Sequence, residues 1–168
     1  MTVTIRPAAP EDVHAVRFVG FVTWPSTYGP RNGAEFVVSG LDAYWSADAI
    51  TGAIDSGYIE VAETSEGIVG MTHVEPLGDD LVMWKLYVLP NRQHGGVGRA
   101  LVDSAKARAR LHGGDLLTEY EPSNEVVRGF YERQGFATTS APWPDTNAVW
   151  LRWSSAPQSN EAPRSTNE

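Results

Sequence analysis

Residues 86–101, LYVLPNRQHGGVGRAL, collect the residue types that grip a pyrophosphate. A β-branched and aromatic stretch stops at Pro90, turns through Gly95, Gly96 and Gly98, and enters a segment with apolar Val97, Ala100, Leu101 and Ala105 on one side. A helix start carries free backbone N–H groups and the positive end of the helix dipole, so it attracts an anion. Glycines let the backbone approach that anion with no Cβ in the way. Two well-known loops are excluded. A P-loop ends in Gly-Lys-Ser/Thr, whereas Gly98 is followed by Arg99 and Ala100, and the dinucleotide fingerprint fails at Leu101. What remains is Gln-x-x-Gly-x-Gly at Gln93, Gly96 and Gly98. The segment predicts a phosphate-bearing cofactor.

That pattern, behind the strand Leu86-Tyr87-Val88 and Pro90, resembles the acetyl-CoA signature of the GCN5-related N-acetyltransferase (GNAT) superfamily. Asn124 followed by Phe130-Tyr131-Glu132-Arg133-Gln134-Gly135-Phe136 resembles a second segment of that family, at a matching separation. The resemblance implies acetyl-CoA as co-substrate. Backbone groups of Gln93, His94, Gly95, Gly96, Val97, Gly98 and Arg99 would hold it, with Leu86, Tyr87 and Val88 lying along the pantetheine arm and Asn124 reaching the cofactor. A splay beside the strand would expose N–H groups to the thioester carbonyl, with Val88 as the donor. The side chains of Leu86 and Val88 are read as core.

Acetyl transfer to an amine needs a held donor, a deprotonated amine, a stabilised oxyanion and a protonated leaving thiolate. The resemblance gives Tyr131 the last role, since tyrosine is protonated at neutral pH. Read without the family, Tyr131 packs on the sheet as readily. Glu119, within T118-E119-Y120-E121-P122-S123-N124, resembles the L-E-V-x-x-S-N context of a glutamate in relatives that acetylate a ribosomal protein's N-terminus. It would accept the amine proton through water if burial raises its pKa. A structural salt bridge is the other reading, and Glu75 is a second base candidate. Trp84 and Lys85 stand where relatives often place an acid. Arg99, Lys106 and Arg110 share a helix face that could meet the 3′-phosphate or simply solvent. Among the early aromatics, Phe18 and Phe21 are expected in the core, and Trp24, Tyr28 and Trp45 in the acceptor pocket, where aromatic faces suit an ammonium.

The elements that position these residues follow from periodicity. Val3–Arg6 reads as a strand. A helix opened by Pro10-Glu11-Asp12 is stopped by Trp24-Pro25, and a second helix covers Leu41–Ile54. Strands are expected at Tyr58–Thr64, Gly67–Glu75 and Leu81–Val88, a helix at Val97–His112, and a strand at Leu116–Glu121. Ser123 then caps a helix to about Gln134, and strands Phe136–Thr139 and Ala148–Trp153 close the fold. The order βααβββαβαββ mixes hairpins with crossovers, which gives an α+β class with a mixed sheet. The family resemblance refines this to a GNAT-like, mostly antiparallel sheet of about seven strands flanked by four helices. Residues 1–153 form one domain, and residues 154–168, which lack core formers, a disordered tail.

Composition narrows the partners. Lys+Arg 13 against Asp+Glu 21 gives a net charge of −8 in 168 residues, which disfavours nucleic acid and anionic membrane and suits a cationic acceptor or plain solubility. With no cysteine there is no disulfide or thiol nucleophile, and the histidines lack metal-ligand spacing, so no metal is expected. No apolar run resembles a signal peptide or a membrane span, and a cytoplasmic protein is expected. Many GNAT relatives pair through their C-terminal strands, which would place a homodimer contact around Ala148–Trp153. The reading is a direct acetyl-CoA-dependent N-acetyltransferase acting on a primary amine, as a small amine or polyamine. The alternatives are a protein N-terminal acetyltransferase and a silent acyl-CoA-binding module.

Overall fold

The computed structural model describes residues 2–156. Seven strands form one sheet in the order β1-β2-β3-β4-β5-β7-β6. They are β1 (Thr4–Pro7), β2 (Ile59–Thr64), β3 (Gly67–Leu77), β4 (Asp80–Val88), β5 (Leu116–Tyr120), β6 (Ala137–Thr138) and β7 (Val149–Trp153). Only the β4–β5 pair is parallel. Four helices flank the sheet: α1 (Val13–Tyr44), α2 (Ala47–Asp55), α3 (Val97–His112) and α4 (Arg128–Arg133). Class and element order are those expected from the sequence. Of the expected tail, residues 157–168 lie outside the described residues.

Helices cover both faces. On one, Val16, Val19, Trp24, Tyr28 and Ile50 pack with Ile59, Val61 and Met71. On the other, Val102, Ala105 and Ala109 of α3 meet Leu81, Met83, Leu116 and Leu151, with Tyr131 and Phe136 in the same cluster. The α3 contacts fall at helical spacing, which is why that helix was legible. It ends at Gly113, whose φ of 89° is the left-handed cap that glycine favours.

The first helix corrects the sequence reading. It does not stop at Trp24-Pro25 but runs on through Pro25 and Pro30 to a break at Gly33, where φ is 81° and ψ 175°. Each proline withdraws a bond from the carbonyl four residues back. Those carbonyls belong to Phe21 and Ser26, both exposed, so water can satisfy them while Trp24 and Tyr28 hold the buried face. Phe18 and Phe21, expected in the core, are 58% and 44% exposed. The buried stripe is Val16, Val19, Gly20, Thr23, Trp24 and Tyr28, one face of the helix that the looser apolar pattern obscured. The second helix begins at Ala47, capped by the Ser46 hydroxyl accepting from the Ala49 N–H, and not at Leu41.

Gly20 fastens α1 to the segment before α2. The Trp45 indole, fully buried, lies on it so closely that an added Cβ would stand 2.1 Å from the ring. Gly20→Ala should lower unfolding stability by about 3 kcal/mol, the scale of an overpacked core. Gly52→Ala in α2, where nothing lies within 4 Å, should raise it by about 0.5–1 kcal/mol. Urea titration of both variants checks the pair.

Candidate active site

Strands β4 and β5 run together for three residue pairs, Leu81–Leu116, Val82–Leu117 and Met83–Thr118, and then part. β5 continues beside β7 to Tyr120, while β4 continues beside β3 to Val88. Two features mark the parting. The Thr118 hydroxyl donates to the Met83 carbonyl at 2.9 Å. Immediately beyond, Trp84 is an extra residue in β4, because His73 faces Lys85 while Val74 faces Met83.

The parting frees backbone groups. The Leu89 N–H donates to the Val69 carbonyl at 2.9 Å. Antiparallel alternation then turns Tyr87 and Lys85 toward β3, and the N–H and C=O groups of Leu86 and Val88 toward the gap. Gln93 enters here, its side-chain amide donating to the Val88 carbonyl at 3.1 Å. Beyond it, His94 and Gly96 take positive φ of 63° and 83°, and Gly96 is the N-cap of α3. No side chain caps this helix, and nothing lies within 4 Å of where a Gly96 Cβ would stand. The first-turn N–H groups thus face an open approach that fits a pyrophosphate. Gly98 lies beside Phe130, whose ring would stand in ordinary contact, 3.5 Å from an added Cβ. Arg99 stays at this helix start, 3.6 Å from Asp103. Lys106 and Arg110 are occupied elsewhere, the former donating to the Gln134 carbonyl at 2.6 Å and the latter lying over Trp153, so neither serves the loop.

A cavity of about 620 Å³ lies where the strands separate. Trp24, Tyr28, Phe36 and Tyr44 of α1 form one wall, and Leu86 and Tyr87 of β4 form another. Glu119 and Glu121 line it from the β5 side, with Asn124 and Tyr131 beyond. Trp45 does not line the cavity: it lies beneath it, edge-on to Tyr87 at 5.3 Å. The cluster thus joins Tyr131, Glu119, Asn124, Trp24 and Tyr28, with the Gln93–Arg99 loop outside the cavity at the far end of β4.

Tyr131 is buried beside Phe136, with ring centres 5.5 Å apart. Burial, aided by Tyr28 and opposed by the Thr118 hydroxyl, pushes its phenol up to about 12, which keeps the proton on at neutral pH. Glu119 is half-buried, and its carboxylate makes no hydrogen bond or ion pair among the described residues. Burial raises its pKa. Glu121, and not Ser123, caps the next turn by accepting from the Ser123 N–H at 2.7 Å. That turn, Pro122–Val127, is a 3-10 segment with Asn124 at φ −103°, and the α-helix begins only at Arg128. The Arg31 side chain donates to the Ser123 carbonyl and Asn32 meets the Ser123 hydroxyl at 2.9 Å, tying α1 to this turn.

The sequence reading named Glu75 as a second base candidate but missed His73 and the polar group that the two form with Trp84 and Lys85 on the opposite wall. His73, Glu75, Trp84 and Lys85 line the same cavity. Trp84 Nε1 donates to Glu75 at 2.6 Å, His73 Nε2 lies 3.3 Å from Glu75, and Lys85 Nζ lies 3.3 Å from His73 Nδ1. Burial, then the Lys85 charge, holds His73 down at about 4, so it is neutral at pH 7. Burial lowers Lys85 to about 8 against the pull of Glu75. The signal was available: pairing β3 with β4 across the turn at Gly78 puts His73 opposite Lys85.

The sequence model described as "Acetyltransferase (GNAT) domain" matches residues 55–138, half of the chain. The chain belongs to the GNAT acetyltransferase family. It is therefore an acyltransferase with acetyl-CoA as its co-substrate. No curated protein sequence matches this acetyltransferase. Its fold is similar to that of the PaiA N-acetyltransferase from Thermoplasma acidophilum in complex with coenzyme A, with TM-score 0.84, 19% identity, and coverage of 92% of this chain and 99% of that one. It is also similar to a GNAT-family acetyltransferase from Staphylococcus aureus Mu50, with TM-score 0.74, 13% identity, and coverage of 92% and 100%. Among the described residues no helix is long and apolar enough to cross a membrane, and no cluster of three or more His, Asp or Glu could hold a metal.

Because Glu75 supplies the negative charge that partly sustains the Lys85 ammonium, Glu75→Gln should drop the Lys85 pKa further below 8. An NMR titration of the lysine side-chain carbons measures this, and with two lysines in the chain the assignment is direct.

Proposed function

We propose that this acetyltransferase moves the acetyl group directly from acetyl-CoA to a primary amine on a small amine or polyamine, within one domain spanning residues 1–153. The observation that carries the reading is the charge of the cavity beside the parted strands. Three carboxylates, Glu75, Glu119 and Glu121, face one ammonium, Lys85, and aromatic rings of Trp24 and Tyr28 stand opposite. A cationic amine suits such a lining through both charge and ring faces.

In this reading the N–H groups at the start of α3, from Gly96 to Arg99, hold the pyrophosphate. The Val88 N–H, turned into the gap, donates to the thioester oxygen as it gains charge. Asn124 and Tyr28 fix the entrance, where their side chains are neighbours. Glu119 takes the ammonium proton through water, and its raised pKa makes it a better base than an ordinary glutamate. The freed amine adds to the carbonyl carbon. Tyr131 then gives its proton to the departing sulfur, a role that its strongly bound proton suits.

Tyr131→Phe should lower kcat by about 100-fold or more while leaving acetyl-CoA affinity unchanged. Because burial raises Glu119, the acid limb of kcat/KM should lie above the ordinary glutamate value of about 4.3, with activity lost as pH falls through it. Glu119→Gln should abolish that limb. Free-thiol release over a panel of polyamines, monoamines, amino acids and free-N-terminal peptides tests the acceptor class. Turnover confined to the peptides would refute the small-amine reading.

A further inference from the structure

The chain contains two lysines, Lys85 and Lys106. Lys106 reaches along α3 to the Gln134 carbonyl and the Trp153 ring, away from the cavity. Lys85 lines the cavity itself. Its Nζ lies 5.6 Å from the Trp45 ring centre and pairs with no carboxylate within ion-pair distance among the described residues. Its polar neighbour is a histidine that carries no charge at neutral pH.

That neighbour is held in a defined state. Glu75 is anchored by Trp84 Nε1, and because a carboxylate can only accept, the Nε2 of a neutral His73 at 3.3 Å must carry the proton toward it. The unprotonated Nδ1 therefore faces Lys85 Nζ at 3.3 Å. Carboxylate, imidazole and amine stand in the order of a general-base relay, with the amine at the end that faces the cavity. Lys85 lies three residues before Val88 on the strand whose open N–H groups face the gap.

We propose that Lys85 is a self-acetylation site, taking the acetyl group of bound acetyl-CoA when no acceptor amine fills the cavity. This rests on the acetyltransferase reading above. The neutral Nζ forms a bond to the thioester carbonyl carbon, and the C–S bond breaks with its electron pair on sulfur. The proton lost from Nζ passes to His73 Nδ1 and on to solvent, and Tyr131 protonates the sulfur and regains its own proton from solvent. The products are N-acetyl-Lys85 and free CoA. An amide is a poor acyl donor, so the reaction stops after one event. It also removes the one ammonium facing Glu75, Glu119 and Glu121, and so makes the cavity more negative.

The titration of Lys85 supports this. At pH 7.5 an amine titrating near 8 has on the order of a hundred times the neutral fraction of an ordinary lysine. The titratable groups that share the cavity with it are neutral His73 and Glu75 from β3, Tyr87 from its own strand, Glu119 and Tyr120 from β5, Glu121 beyond β5, Tyr28 and Tyr44 of α1 and Tyr131 of α4, and Arg108 of α3 acts on His73.

The test incubates the full chain with acetyl-CoA and no amine. It follows both lysines by site-resolved mass spectrometry and measures acetyl-CoA binding in the same sample. Lys85 should gain one acetyl group at least about tenfold faster than Lys106, and about tenfold faster than Lys85 in unfolded protein. The rate should climb with pH to a plateau above about 8 and fall when a substrate amine is added. Acetyl-CoA binding with Lys85 unmodified, or modified no faster than in the unfolded chain, would overturn the proposal. Failure of acetyl-CoA to bind would overturn the acetyltransferase reading and this inference together.

Discussion

Strands β4 and β5 pair at three positions and then each follows a different neighbour, β3 for one and β7 for the other. A sheet that tears in this way leaves a row of peptide groups without partners, which is costly inside a protein unless a ligand or water meets them. Here the tear is built in. The Thr118 hydroxyl closes the last shared position, and the Trp84 bulge turns the strand just past it. The Trp84 ring is packed edge-on against Trp150 of β7 at 5.8 Å, a contact that bridges the two halves of the sheet. The cavity, the free N–H groups and the burial of Tyr131 all follow from that separation.

The same geometry sets the charges. A gap lined by helix aromatics on one side and Tyr131 on the other excludes much of the solvent, and burial pushes four groups within it toward their neutral forms. Glu119 and Tyr131 move up, and His73 and Lys85 move down. One physical cause thereby supplies a carboxylate that binds protons more tightly, a phenol that keeps its proton and an amine that can lose one.

The glycine turn and the helix after it were legible because they depend on local rules. Proline, glycine and a helical apolar stripe lie within a short stretch, and α3 forms where that pattern places it. The first helix was not legible, since Pro25 and Pro30 read as breaks and only the tertiary burial of Trp24 and Tyr28 overrides them. Trp45 shows a similar limit: beside a break it reads as a pocket residue, but the absence of a side chain at Gly20 draws it into the core. The grouping of His73 and Glu75 with Lys85 was hidden because Lys85 lies twelve residues from His73 in sequence and reaches it only through hairpin register.

In the proposed function the torn edge of β4 and the start of α3 form one continuous cofactor track. A backbone-amide NMR titration with a non-hydrolysable acetyl-CoA analogue tests it most directly. The Leu86 and Val88 amides should shift together with those of Gly96 to Arg99, while Tyr87, bonded to β3, shifts less. Saturable binding that leaves Leu86 and Val88 unmoved would contradict it.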